Sequence, residues 1–103
     1  MSNFFIVSRH PATIRWLQKN LPVVDGIFAE LPVQELQAGD CIYGNLTAHL
    51  IAQICESGCR YFHVRLKLPL ELRGKELDDQ QLMIIQPEIV EIEARTCVQS
   101  SIK

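Results

Sequence analysis

Four apolar residues run together at Phe4-Phe5-Ile6-Val7, and the run stops at Ser8-Arg9-His10-Pro11. A short unbroken apolar run rich in Phe, Ile and Val reads as a strand buried on both faces, the habit of parallel sheets. Pro11 cannot donate to a ladder, but it suits the first turn of a helix, where a missing N–H costs nothing. Ser8, Arg9 and His10 are therefore placed in a strand-to-helix turn at the C-terminal end of a buried strand, where open α/β sheets bind ligands. From Pro11 to Asn20 the spacing changes: Ile14, Leu17 and Leu21 form one helical stripe. Trp16 lies off that stripe, at an edge or an interface, and Pro22 ends the helix.

Val23 to Phe28 reads as a weaker strand interrupted by Gly26, and Leu31 to Gly39 as a connection with at most one helical turn. Asp40-Cys41-Ile42-Tyr43-Gly44 is a second buried strand. Thr47 is placed as N-cap of the next helix, whose apolar face is Leu50, Ile51, Ile54 and Cys55, with Gly58 as its C-terminal cap. Arg60 to Lys67 alternates: Phe62, Val64 and Leu66 face one way, and His63, Arg65 and Lys67 the other, as in a half-exposed strand. Leu68 to Leu77 is irregular. Asp78 caps a short helix to about Ile85, with Pro87 beyond it. Ile89 to Val98 is a last strand with charges on alternate positions, which suits an edge, and disorder is expected from Gln99 to Lys103.

Parallel strands joined in this order need right-handed crossovers. The expected fold is thus one α/β domain over residues 1–103: a small Rossmann-like, mostly parallel sheet flanked by helices. The first strand and the Asp40 strand are expected to be central and adjacent. Their C-terminal ends bring Ser8-Arg9-His10 beside Asn45-Leu46-Thr47, and the Arg60 strand adds Lys67 and the Arg73 loop at the same rim.

Composition narrows the choice of partner. In 103 residues, 48% are hydrophobic and the formal net charge is -2. One domain with a small core follows. No global basic field draws in a polyanion, so long duplex DNA is not an expected partner and any phosphate must be held by local cations. No basic n-region precedes the first strand and no apolar run nears the length of a membrane span, so a cytoplasmic protein without membrane contact is expected. Disulfides are not expected there. Cys55, Cys59 and His63 lie four residues apart, but no CxxC pair supports a metal site. Cys41, Cys55, Cys59 and Cys97 read as small buried hydrophobes.

The rim supplies Ser8, Arg9, His10, Asn45, Thr47, His49 and Arg73, together with two helix N-termini that favour anions. No carboxylate cluster is apparent, because Asp40 begins its strand at the other end of the sheet. Two-metal hydrolysis is therefore disfavoured, and no metal or cofactor is expected. GxGxxG and Walker loops are absent. The rim fits one metal-free reaction, in which an RNA 2′-hydroxyl attacks its own 3′-phosphate in line and leaves a 2′,3′-cyclic phosphate. Arg9 would neutralise the phosphorane and His10 would serve as acid or base. His49 is the alternative imidazole. Ser8 and Asn45 suit binding better than nucleophilic attack, and His63 reads as a strand surface residue.

Phe5-Ile6-Val7-Ser8-Arg9-His10-Pro11, Gly39-Asp40 with Ile42-Tyr43-Gly44-Asn45-Leu46, His49-Leu50, Arg60-Tyr61-Phe62-His63, and Leu68-Pro69 with Leu72-Arg73-Gly74-Lys75-Glu76-Leu77 occur in this order. From Phe4 to Leu77 the chain resembles a small accessory family of type III CRISPR loci, the sixteenth of the "x" series. The resemblance implies a CARF-like fold, a homodimer and a cyclic oligoadenylate ligand. It further implies ring-nuclease activity that linearises cyclic tetra-adenylate without metal and so switches off type III CRISPR signalling. The chain departs from the family pattern at Ala12, where Gly is usual, at Asn45-Leu46-Thr47, where Thr-Leu-Pro is usual, and at Lys67, often acidic. A C₂ dimer would present the rim twice to a ring bisected by a twofold axis, supplying two Arg9 and two Arg73 to offset four phosphates. The competing expectations are a sponge or sensor that binds the messenger without cutting it, and a structural subunit using Trp16 and the Glu88 to Glu93 face.

Overall fold

The fold is that of a computed structural model describing residues 2–97. In chain order it contains β1 (Phe4–Val7), α1 (Pro11–Asn20), β2 (Gly26–Phe28), β3 (Cys41–Gly44), α2 (Ala48–Glu56), β4 (Arg60–Arg65), α3 (Asp79–Ile85) and β5 (Glu88–Ile92), with single 3₁₀ turns at Val33–Glu35 and Leu70–Leu72. The helices match their expected bounds. Pro11 opens α1, and Gly58, at φ +80°, follows α2 in the left-handed conformation a C-terminal cap needs. Thr47 does sit at the N-cap of α2, but its side chain caps nothing. At α3 the full capping box forms: Asp78 accepts from the Gln81 N–H at 2.8 Å, and Gln81 accepts from the Asp78 N–H at 2.9 Å.

Several strands are shorter than expected: β4 ends at Arg65 rather than Lys67, β3 starts at Cys41 rather than Asp40, and β2 and β5 are also cut back. β2 starts only at Gly26, because Asp25 takes both polar groups of Phe4. Its carboxylate accepts from the Phe4 N–H and its own N–H donates to the Phe4 carbonyl, each at 2.7 Å. Gly26 opens the strand, paired with Phe5, rather than interrupting it, and a Cβ there would lie 2.9 Å from the Phe28 ring. β5 ends at Ile92; Val98 and the tail 99–103 lie outside the described residues.

The five strands are ordered β2-β1-β3-β4-β5, all parallel except β5, which is antiparallel to β4. β1 and β3 are adjacent, as expected. Alternation divides the core into two layers. Phe5, Val7, Ile42 and Tyr61 pack with Ile51 and Ile54 of α2 on one face. Ile6, Cys41, Tyr43 and Val64 pack with Leu17 of α1 on the other, where Trp16 covers the cluster's edge. The chain runs from β1 to β2 through α1, then reverses direction and crosses to β3 on the α2 face, where Leu31 and Leu36 pack. Both direction and face change together, so the crossovers share one hand. The reversal leaves a crevice outside the C-terminal ends of β1 and β3.

β4 corrects one expectation. It is covered on both faces, with Tyr61 fully buried and Val64 at 1% exposure, so His63 is a half-buried neighbour of Tyr61 rather than a surface residue. Cys41 and Cys59 are buried and Cys55 partly so, but Cys97 is exposed; all four are free thiols. Lys67 pairs with Glu88 at 3.9 Å beside the Arg65–Glu88 bridge, on the β4–β5 edge. A bidentate Arg60–Glu91 pair, both contacts 2.8 Å, completes that edge, and the guanidinium holds the Glu91 carboxyl below its ordinary range.

Asp40 is the buried polar anchor at the N-terminal end of the sheet. It is fully buried, and its two oxygens accept from the Asn3 N–H at 3.0 Å and the Gln37 N–H at 2.9 Å. Removing the carboxylate strands both donors, so Asp40→Ala should destabilise the fold by about 2–4 kcal/mol in urea titrations. A loss below about 1 kcal/mol would show that the N-terminal strand is held by other means.

Candidate functional site

Gly44 makes the crevice possible. Its register partner across the ladder is Val7, and a Cβ on residue 44 would meet the Val7 carbonyl oxygen at 2.3 Å. Only glycine lets the two strand ends close at this distance. Immediately beyond, Ser8, Arg9 and His10 leave β1 while Asn45 and Leu46 leave β3, and together they line a cleft of about 190 Å³. Two further clefts open from the same residues. One, of about 260 Å³, runs from His10 and Asn45 toward Leu66, Lys75 and Leu77. The other, of about 440 Å³, runs from Arg9 and Leu46 toward Glu30 and Leu50. The Ser8–His10 turn is the ridge between them.

Each side chain of the ridge is already engaged. Ser8 Oγ accepts from the His10 N–H at 3.1 Å, which tightens the turn, and the Ser8 N–H extends the ladder to the Phe28 carbonyl at 2.9 Å. Arg9 donates to a Glu30 carboxylate oxygen at 2.6 Å and, more weakly, to the Ala29 carbonyl at 3.4 Å. His10 Nδ1 lies 3.0 and 3.1 Å from the two carboxylate oxygens of Glu76. The rim therefore carries carboxylates after all. Sequence order hides them, because Glu30 and Glu76 lie 21 and 66 residues from their partners. Among the described residues no three His, Cys, Asp or Glu side chains converge as a metal-binding group.

The remaining expected site residues divide. Asn45 lines two of the clefts and its side-chain amide donates to the Val64 carbonyl, tying the β3 turn to β4. Thr47 is exposed at the N-cap of α2, and His49 is exposed one residue inside that helix. Neither lines the three clefts described. Arg73 is exposed just after the Leu70–Leu72 turn and does not line them either. The cation that its loop brings to the site is Lys75.

Beneath the β3 turn lies a polar network that residue spacing does not announce. The Tyr61 hydroxyl accepts from the Leu46 N–H at 2.8 Å, donates to the Gly44 carbonyl at 2.9 Å and lies 2.7 Å from His63 Nδ1. Burial pushes the phenol up to about 12, so it keeps its proton, and burial pushes the His63 imidazole below its ordinary value. A carbonyl can only accept, so the phenol proton goes to Gly44 and His63 Nδ1 must donate. All three partners are thereby satisfied, and Tyr61 fixes both flanks of Asn45.

A family model described as "Putative CRISPR-associated protein (Cas_VVA1548)" matches residues 5–95. No curated protein and no solved structure matches the chain.

Tyr61→Phe removes only the oxygen of this network. It should cost about 1–3 kcal/mol, the penalty for leaving buried backbone groups unpaired, and should speed hydrogen exchange at the Leu46 amide selectively. Unchanged exchange at Leu46 would mean that the turn holds itself.

Proposed function

The chain belongs to the CRISPR-associated family whose model spans residues 5–95, and from that premise we propose a metal-independent ring nuclease that cuts cyclic oligoadenylate, with cyclic tetra-adenylate as its ring. The observation that carries this reading is the pairing of Arg9 and His10 on one backbone turn at the crevice between β1 and β3. A guanidinium and an imidazole fixed side by side suit a phosphodiester whose nucleophile is internal. The 2′-oxygen attacks the adjacent phosphorus, the O2′–P bond forms, and the P–O5′ bond breaks. The 2′-hydroxyl proton leaves to a base, and the 5′-oxygen gains a proton from an acid. Water is not consumed, so the step is a transesterification rather than a hydrolysis.

Arg9 takes the phosphorane charge. Its present partner, Glu30, does not prevent this: the two side chains are 65% and 79% exposed, and such ion pairs are worth little in water. A phosphodiester presents the guanidinium with two oxygens and a single charge, as a carboxylate does, and gains charge as the phosphorane forms, so it replaces Glu30 most strongly in the transition state. His10 moves the protons. Among the described residues no three His, Cys, Asp or Glu side chains converge as a metal-binding group, and Arg9 and Lys75 are the cations that line the clefts, which supports charge stabilisation by the protein's own side chains. The family resemblance implies a CARF-like homodimer, and the five-stranded, mostly parallel sheet is compatible with that reading. The cleft that Arg9 and His10 line together, about 190 Å³, is small beside the 300–1,000 Å³ range of ordinary ligand pockets, so the reading gives a tetranucleotide ring the rims of two protomers.

The second reading is a sponge or sensor that holds the messenger intact. It is favoured by one observation: His49 lines none of these clefts, so His10 is the imidazole left to serve both proton roles.

Incubation with cyclic tetra-adenylate in excess EDTA should give linear products ending in 2′,3′-cyclic phosphate. Arg9→Ala should lower turnover about a hundredfold, as for loss of one oxyanion donor, and weaken binding less. Tight binding with no product would select the sponge, and activity abolished by EDTA but restored by manganese would sink the metal-free chemistry. Light scattering of the free protein at micromolar concentration should give the mass of a dimer. A monomer that stays monomeric with ligand would remove the two-rim site.

A further inference from the structure

We infer that Glu76 is the positioning residue for His10, setting which ring nitrogen carries the proton and which one meets the substrate. The inference rests on the ring-nuclease reading for its catalytic consequence, but its geometric basis is independent of it. Both Glu76 oxygens lie within hydrogen-bond distance of Nδ1, at 3.1 and 3.0 Å. An ionised carboxylate can only accept, so Nδ1 must hold a proton. The neutral ring is then the Nδ1–H tautomer and Nε2 carries the lone pair. Nε2 becomes the base toward the 2′-hydroxyl and, once protonated, the acid toward the departing 5′-oxygen.

The two halves of this pair are held from opposite directions. His10 is the N-cap residue of α1; its carbonyl accepts from the Ile14 N–H at 3.0 Å and its N–H donates to Ser8 Oγ at 3.1 Å. Those bonds fix its backbone and leave the ring's rotation open. Glu76 lies two residues before Asp78, the N-cap of α3, and the next residue, Asp79, grips Arg15 of α1 through three contacts of 2.8–3.1 Å. The Arg15–Asp79 clamp fixes the start of α3 against α1, and Glu76 reaches His10 along the same seam. The loop before it turns at Gly74, φ +77°, a conformation that suits glycine. The carboxylate is thus delivered by a supported segment, not by a free loop.

The test uses the full chain with cyclic tetra-adenylate. Glu76→Gln keeps the length and hydrogen-bonding capacity but can donate as well as accept, so it no longer dictates the tautomer. Turnover should fall about tenfold or more with KM within about threefold, as expected when an orienting group rather than a binding group is lost. Glu76→Asp, which restores the acceptor, should recover part of the rate. Nitrogen-15 shifts of the His10 ring in mildly alkaline buffer should show Nδ1–H in the wild type and mixed tautomers in Glu76→Gln. Wild-type rates in Glu76→Gln, or an Nε2–H ring in the wild type, would overturn the inference while the nuclease reading stands. A wild-type protein that binds the ring without cutting it, yet shows Nδ1–H, would overturn the nuclease reading and with it the catalytic role of the pair.

Discussion

The ends of β1 and β3 approach so closely that position 44 tolerates no side chain, and the architecture of the site follows from that contact. In a parallel sheet whose strand order reverses, the two strands at the reversal send their following segments to opposite faces. The gap between those segments is only as well defined as the strand ends that bound it. Gly44 against the Val7 carbonyl sets its width. The Tyr61 hydroxyl, reaching up from β4, then holds the Gly44 carbonyl and the Leu46 N–H from below. A larger residue at 44 would spread the ladder and separate the Ser8–His10 turn from Asn45, without touching any group that carries chemistry.

Above this floor the basic side chains of the rim face carboxylates rather than standing alone. Arg9 faces Glu30, and His10 faces Glu76. In a chain of net charge -2 any attraction for anions is local: the Arg9–Glu30 pair is exposed enough for an incoming anion to replace the carboxylate, whereas Glu76 faces Nδ1 of His10 alone. Both pairs are largely exposed, so they orient side chains more than they stabilise the fold.

Much of this was legible in the residue pattern, for stated reasons. β1, β3 and the three helices announce themselves because buried parallel strands and amphipathic helices impose local periods, and because Pro11, Gly58 and Asp78 mark their ends chemically. The turn at Ser8-Arg9-His10 follows from the same signals. What the pattern misses is held by contacts between distant residues. Asp25 shortens β2 by pairing with Phe4, 21 positions away. Glu30 and Glu76 reach the rim through loops with no period at all. His63 reads as a surface residue of a half-exposed strand because nothing local reveals that the face it shares with Tyr61 packs against α2. Arg73 and Lys75 sit two apart in the same irregular loop, and only the fold shows that Lys75, not Arg73, lines the cleft.

β4 and β5 are antiparallel neighbours, yet they are joined by an excursion through Lys75, Glu76 and α3 instead of a tight hairpin. A chain made from its N-terminus emerges from the ribosome with β1 through β4 in hand well before that excursion. Four parallel strands and two covering helices can assemble with Arg9 and His10 already on their turn, while Glu76 has yet to emerge and dock against the imidazole. The scaffold is thus complete before the site is, and a nascent or truncated chain ending near Arg65 would present the cation without an oriented imidazole. Docking of the segment after β4, rather than folding of the sheet, is what brings the Glu76 carboxylate to His10.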